Sequence, residues 1–358
     1  LDGTILRGAI LDGANLIGTR IAGLGHYLPE RVVTNAELEK LVATSDQWIR
    51  DRTGISERRV AAPHETSSSL ALQASKMALA DARINPEDIE LIIVATTTPD
   101  GMFPATASLV QDGLGAANAG AYDVNAACMG FLSALSAATQ YIATGAYKRV
   151  LVVGTEVLSR ILNWQDRGTC VLFGDGAGAV LLEAAEFGGA LSFVLHSDGS
   201  KKLALYAEGP CGPRDADGNG PPPHLCMINM DGPAMFKLAV QLMSAAVREA
   251  TAKAGLAIDD IDLLVPHQAN MRIIQGVAKL LEMPMEKSLV TVHKYGNTSS
   301  ATIPIALSEA AREGRLEEGA RLALCSIGGG LSWGAMLLEY SRTGIVRAAR
   351  AGTLVEAR

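Results

Sequence analysis

Cys128 stands in "DVNAACMGF", Asp123 to Phe131. The residues before it favour a strand and those after it favour a helix. That places the thiol at a helix N-terminus, where unpaired N–H groups and the positive end of the dipole stabilise a thiolate. Ala126, Ala127 and Gly130 leave room for a substrate to approach. The pattern fits an activated nucleophile. It equally fits a small buried core thiol, the commoner fate of a free cysteine.

Two further stretches bear on that choice. In "LLVPHQAN" an apolar strand ends at Pro266 and His267 follows, at the sheet edge where α/β proteins bind ligands. A lone histidine is more often structural. In "HKYGNTSSA", Asn297 sits on a Gly-flanked turn, a place Asn also occupies for backbone reasons. Together, Cys128, His267 and Asn297 at three strand–helix junctions supply a nucleophile and two polarising groups. "SIGGGLSWGA" adds three consecutive glycines, able to present N–H groups to an oxyanion or simply to bend between two strands. "FGDGAGAVLLE" is not a nucleotide loop. A strand-like run follows it, and it lacks the Lys-Ser/Thr pair. Close backbone packing is the reading adopted for it.

The elements that must hold these residues alternate. "IELIIVATTT" is an apolar, β-branched run expected of a strand buried on both faces. "TSSSLALQASKMALADA" and "FPATASLVQDGLG" read as helices, the first opened by capping residues and the second closed by Gly. "TRIAGLGHYLP" reads as a short strand, and "CMGFLSALSAATQYIATG", "RVLVVGTEV" and "RLALCSIGGG" continue the alternation. The expectation is a mostly parallel α/β protein of two similar halves. Its divisions are an N-terminal extension over 1–18, halves over 19–188 and 189–340, and a mobile basic tail over 341–358. Residues 4–18 resemble three pentapeptide repeats, too few to bury a core by stacking. Residues 209–223 hold nine Gly or Pro and read as a long surface loop.

Composition excludes several classes. Of the 358 residues, 48% are hydrophobic, enough for a sizeable core, and the net charge of −7 argues against a broad nucleic-acid-binding face. No apolar run approaches the length of a membrane span, and no export signal is visible. The five cysteines are widely spaced with no CxxC pair, so neither a disulfide framework nor a structural zinc site is expected. A cytoplasmic setting fits best.

"DVNAACMGF", "DRGTCVLFGDGAGA", "VPHQANMRII", "YGNTSSATIP" and "GGGLSWGA" resemble β-ketoacyl-acyl-carrier-protein synthase III, as do "YLPERVVTN" and "TSDQWIRDRTGISERR". The resemblance runs from about Thr19 to Tyr340, with its motifs in order. It implies the thiolase-like fold, two duplicated halves in α-β-α-β-α layers, and a homodimer. It implies Cys128 as the acylated nucleophile with His267 and Asn297 as partners. The Cys-His-Asn set sets the chain apart from hydroxymethylglutaryl-CoA synthases. Chalcone synthases share the set and lack the surrounding motifs.

The implied reaction takes an acyl group from acyl-CoA onto Cys128. The N–H groups of Cys128 and Gly329 hold the oxyanion. Decarboxylation of malonyl-acyl-carrier protein, with His267 and Asn297 at its thioester oxygen, then generates the carbanion that attacks. No metal or redox cofactor is implied. Trp48 and Arg167 match positions that sandwich the adenine of CoA, and Arg52 one near its phosphates. Lys237, Arg272 and Lys279 match carrier-protein docking positions, with Leu280 where a second Lys is frequent. Phe103 matches a residue that reaches the partner subunit's acyl pocket. These residues hardly separate fatty acid initiation from a related condensation or acyl transfer in secondary metabolism. A CoA-binding module without catalysis would need none of the Cys-His-Asn set. A papain-like hydrolase would lack the duplicated pattern.

Overall fold

The computed structural model describes residues 17–208 and 227–344. The repeat-like units, the Gly/Pro-rich loop, Cys211, Cys226 and most of the tail lie outside the described residues.

Two sheets form the body. The first contains β1 (Gly18–Tyr27), β2 (Leu91–Ala95), β3 (Gly120–Val124), β4 (Arg149–Glu156) and β5 (Gly176–Ala185), in the order β1-β5-β4-β2-β3. The second contains β6 (Gly189–Ser197), β7 (Leu263–Pro266), β8 (Arg321–Gly328) and β9 (Ser332–Glu339), in the order β7-β8-β9-β6. The expected mostly parallel sheet needs correction. β2 runs parallel to β3 and β4, and β7 to β8, while β1–β5, β4–β5, β8–β9 and β9–β6 are antiparallel. Only the strands joined by crossover helices can run parallel. The "GDGAGAVLL" and "SWGAMLL" runs instead fold back beside their neighbours.

Strand alternation distributes side chains between layers. Ile92 and Val94 of β2 face α2 (Ser67–Ala82) and α3 (Thr106–Leu114). Ile93 and Ala95 face the middle layer, formed by α4 (Gly130–Ala143) and α7 (Thr302–Arg312). Leu322 and Leu324 of β8 close that layer from the other side. Ala323 and Cys325 face outward to α5 (Gly232–Lys253) and α6 (Met271–Leu281). The result is an α-β-α-β-α stack. Phe131, Leu132, Leu135 and Ile142 of α4 are all at most 1% exposed. At roughly 1.5–3 kcal/mol for each buried side chain, they anchor the helix that carries Cys128.

Local signals behave as their chemistry dictates. Thr66 and Ser69 form a capping box at the start of α2, and Gly115 closes α3 in the left-handed region. Gly178 of the "GDGAGA" run approaches α7 so closely that a Cβ would lie 2.6 Å from the Ile305 nitrogen. The start of the tail departs from the mobile segment expected. Arg342 pairs with Asp81 at 2.8 Å, and its N–H donates to Glu318.

Candidate active site

Cys128 sits in a single 3₁₀ turn, Ala127–Met129, that leads into α4. Its carbonyl accepts from Ser326 Oγ of β8 at 2.7 Å, which ties the nucleophile's turn to the second sheet. Gly328 packs against the same turn, where a Cβ would lie 2.6 Å from the Cys128 nitrogen. Of the three glycines, Gly328 therefore abuts Cys128, while Gly329 faces the Leu205 carbonyl.

His267 follows β7 directly. Its N–H donates to the Cys325 carbonyl at 2.8 Å, extending the β7–β8 ladder by one residue. His267 is 1% exposed, and its Nδ1 lies 2.7 Å from Thr302 Oγ1 at the start of α7. Gln268 braces the turn. It donates to the Pro266 and Leu289 carbonyls and accepts from the N–H groups of Thr291 and Val292.

Asn297 is bridged to Phe173, its N–H donating to the Leu172 carbonyl and its carbonyl accepting from Gly174 N–H. Its Oδ1 accepts from Ser299 N–H at 2.8 Å, which leaves the Nδ2 hydrogens as the free end of the amide. Thr302 Oγ1 also donates to the Ser299 carbonyl at 2.9 Å. Residues 297–302 thus hold Asn297 directly and the His267 ring through Thr302. The 3₁₀ turn that carries Cys128 packs against residues 299–301. His267 and Asn297 are joined through Thr302 and Ser299, and the Cys128 turn also bonds to Ser326, next to the Cys325 carbonyl that receives the His267 N–H. Ala127 and Ser299 adopt left-handed backbone, φ +48° and +49°. The other non-glycine cases among the described residues, Arg83 and Glu282, are helix C-caps. Strain of this kind collects at functional sites.

Electrostatics here differ from the thiolate that a helix N-terminus favours. Burial pushes the Cys128 thiol up to about 12, and the Glu156 charge adds to this against the Ser299 hydroxyl. Burial takes His267 down to about 3, so its imidazole is neutral. The resting pair is a thiol and an uncharged imidazole. Desolvation by the surrounding sheets outweighs the short turn's dipole.

Residues 122–199 match the family model 3-oxoacyl-[acyl-carrier-protein (ACP)] synthase III, and residues 251–340 match its C-terminal counterpart. A β-ketoacyl-[acyl-carrier-protein] synthase III of Xanthomonas campestris pv. campestris is 52% identical over 324 residues, 90% of this chain and 99% of that one. The chain belongs to the β-ketoacyl-acyl-carrier-protein synthase III family. It is an acyltransferase of the condensing-enzyme class with a thiolase-like fold. The crystal structure of a 3-oxoacyl-[acyl-carrier-protein] synthase III from Aquifex aeolicus matches at TM-score 0.84 and 47% identity, over 90% of this chain and all of that one. The priming β-ketosynthase of the R1128 polyketide pathway matches at TM-score 0.85 and 34% identity, over 93% and 99%.

In this synthase III chain, Trp48 and Arg52 lie on α1 (Asp46–Thr53). The Arg167 guanidinium stacks on the Trp48 ring at 4.7 Å, with Arg52 at 5.9 Å. An adenine between Trp48 and Arg167 needs about 7 Å, twice a van der Waals separation, so the two must part to admit one. Asn270 caps α6 and donates to the Arg52 carbonyl, linking α1 to α6.

Lys237 on α5 and Arg272 and Lys279 on α6 are all exposed. Arg272 lies over the Phe236 ring at 5.3 Å, beside Lys237. Arg248 of α5, which sequence reasoning missed, donates to the Leu280 carbonyl and brings a cation to the position where a lysine is absent. Phe103 is 85% exposed and Met102 69%, so neither fills a pocket of its own chain.

Also missed was Glu156, at the end of β4 and fully buried. "RVLVVGTEV" carried the signal: one carboxylate ending an otherwise apolar strand.

Proposed function

We propose that this chain moves a short acyl group from acyl-CoA to Cys128. It then condenses that group with malonyl-acyl-carrier protein, releasing CoA, CO2 and a β-ketoacyl-carrier protein, and so initiates fatty acid synthesis. The observation that carries the reading is that His267 and Asn297 are hydrogen-bonded to one segment, residues 297–302, against which the Cys128 turn packs.

In the first step the Cys128 sulfur attacks the thioester carbon, its proton passes to the CoA sulfur as the C–S bond breaks, and CoA departs as the free thiol. The N–H groups of Cys128 and Gly329 hold the oxyanion. In the second step the Asn297 Nδ2–H group and His267 stabilise the enolate oxygen formed as CO2 leaves, and the carbanion attacks the acyl-Cys. Decarboxylation itself generates the nucleophile, so the chemistry calls for no metal or redox cofactor. Trp48, Arg167 and Arg52 bind the CoA nucleotide by stacking, cation–π attraction and charge.

Lys237, Arg272 and Lys279, joined by Arg248, form the basic face that receives the acidic carrier protein. Phe103 extends into the acyl pocket of a second copy. The first sheet ends at β3, an edge strand suited to pairing two copies as a homodimer. The setting proposed is cytoplasmic. Among the described residues no helix is long and apolar enough to cross a membrane.

The test separates the two steps. His267→Ala and Asn297→Ala should each lower condensation by about 10²-fold or more while Cys128 acylation is largely retained. Loss of acylation in both variants would show that the roles are wrongly assigned.

A further inference from the structure

Arg58 is fully buried, and the proposed chemistry does not use it. It stands on the short ribbon that pairs Val32–Thr34 with Glu57–Arg59, directly across from Val33. Its Nη1 donates to the Val33 carbonyl at 3.2 Å and to Asn35 Oδ1 at 2.8 Å, and its Nη2 to the Val171 carbonyl at 2.7 Å. All three acceptors are neutral, and Nε has no partner. A buried cation without an anion is costly, and an apolar side chain of the same size would pack there at less cost. What an arginine supplies in return is a rigid, planar fork of donors that reaches several segments at once.

Those segments carry the two sides of the proposed nucleotide site. Val171 closes the helical turn Arg167–Cys170, which bears Arg167. Asn35 passes the contact on: its Nδ2 donates to Asp46 Oδ1 at 2.8 Å, and Asp46 opens α1, which bears Trp48. A chain of hydrogen bonds therefore runs from the Arg167 turn through Arg58, Asn35 and Asp46 to the Trp48 helix. Ile49, Ile55, Cys170 and Val171 also share one apolar cluster. Apolar contact is non-directional and tolerates sliding, whereas the fork does not. Parting Arg167 from Trp48 disturbs the Arg167 bond to the Ala43 carbonyl, at 2.9 Å. The chain through Arg58 uses neither side chain, so it holds the two backbones while the side chains part.

We propose that Arg58 is a positioning residue that fixes the spacing of Trp48 and Arg167, and thereby how tightly this chain holds the nucleotide end of acyl-CoA. The inference rests on the proposed reading of that pair as the CoA site. It concerns the first half-reaction alone, in which His267 and Asn297 have no assigned part.

The test compares two acyl donors, acetyl-CoA and acetyl-pantetheine, which keeps the thioester and lacks the nucleotide. Intact-mass spectrometry of the full chain follows acylation of Cys128, and the ratio of the two second-order rate constants reads the nucleotide's contribution. Arg58→Met keeps the bulk and loses the fork. Its ratio should fall about tenfold through acetyl-CoA alone, with the truncated donor within about twofold of wild type. Arg58→Lys keeps the charge without the fork and should fall likewise. Asp46→Ala cuts the far end of the chain at a half-exposed side chain, and its ratio should fall about threefold. An unchanged ratio in Arg58→Met or Arg58→Lys overturns the proposal. So does equal slowing with both donors, which is what a general loosening of the fold would give. If circular dichroism shows the Arg58 variants unfolded, Asp46→Ala decides alone. A wild type that uses both donors equally would remove the nucleotide site from the proposed function, and this inference with it. A wild type that favours acetyl-CoA, beside variants with the same preference, removes the inference alone.

Discussion

Cys128 and His267 are both neutral because the protein around them is dry. That has a cost the whole molecule feels. His267 is held near a pKa of about 3, against the ordinary 6.5, by desolvation. Between those values the unfolded chain binds a proton that the folded chain does not. Stability therefore rises with pH through this window and is lost as pH falls from 6.5 toward 3. The slope from one such group is up to about 1.4 kcal/mol per pH unit. Thermal melting of the wild type should drop on acidification below pH 6.5, and His267→Gln should flatten that drop. Equal slopes in the two proteins would mean that the imidazole is not held neutral. The types of these residues were legible in the sequence. Their charge states were not, because burial depends on the second sheet closing over the first.

The elements explain why three residues far apart in sequence arrive together. β4 must pass directly beneath residues 299–301 to present Glu156 to Ser299. Gly154 permits the approach: a Cβ there would lie 2.3 Å from the Ser300 carbonyl oxygen. Backbone cannot swing aside as a side-chain tip can. Gly154→Ala should thus displace residues 297–302, destabilise the fold by about 1–3 kcal/mol and slow condensation more than acylation. Denaturant unfolding and the two half-reactions measure this, and an alanine variant with wild-type condensation would contradict the packing argument. "VVGTEV" reads plainly as a strand. Nothing local in it says that its glycine serves a serine 146 positions later, since such contacts arise only from tertiary packing. Helices with strong end signals, α2 and α3, were legible for the opposite reason: capping is decided within a few residues. The antiparallel course of β5 and β9 was hidden, because a strand buried on both faces looks alike in either direction.

At the scale of the molecule, the stack places each task on a different layer. The nucleophile lies where the middle helices meet both sheets. The stacked Trp48–Arg167 pair lies beside α1, and the basic side chains lie on α5 and α6. The link from Asn270 to the Arg52 carbonyl joins the two substrate faces proposed here, one for the CoA nucleotide and one for the carrier protein. Arg248 shows why a patch is harder to read than a motif. A cation on α5 reaches the backbone of α6, 32 residues away, so the missing lysine at Leu280 is met from another helix. The acyl group must nevertheless pass through one atom, the Cys128 sulfur. The most direct test is intact-mass spectrometry of the full chain mixed with acyl-CoAs of graded length and branching, beside Cys128→Ala. The account predicts a single acyl adduct on the wild type, strongest for short chains and absent from the variant. No adduct from any acyl-CoA, or an equal adduct on Cys128→Ala, would contradict it.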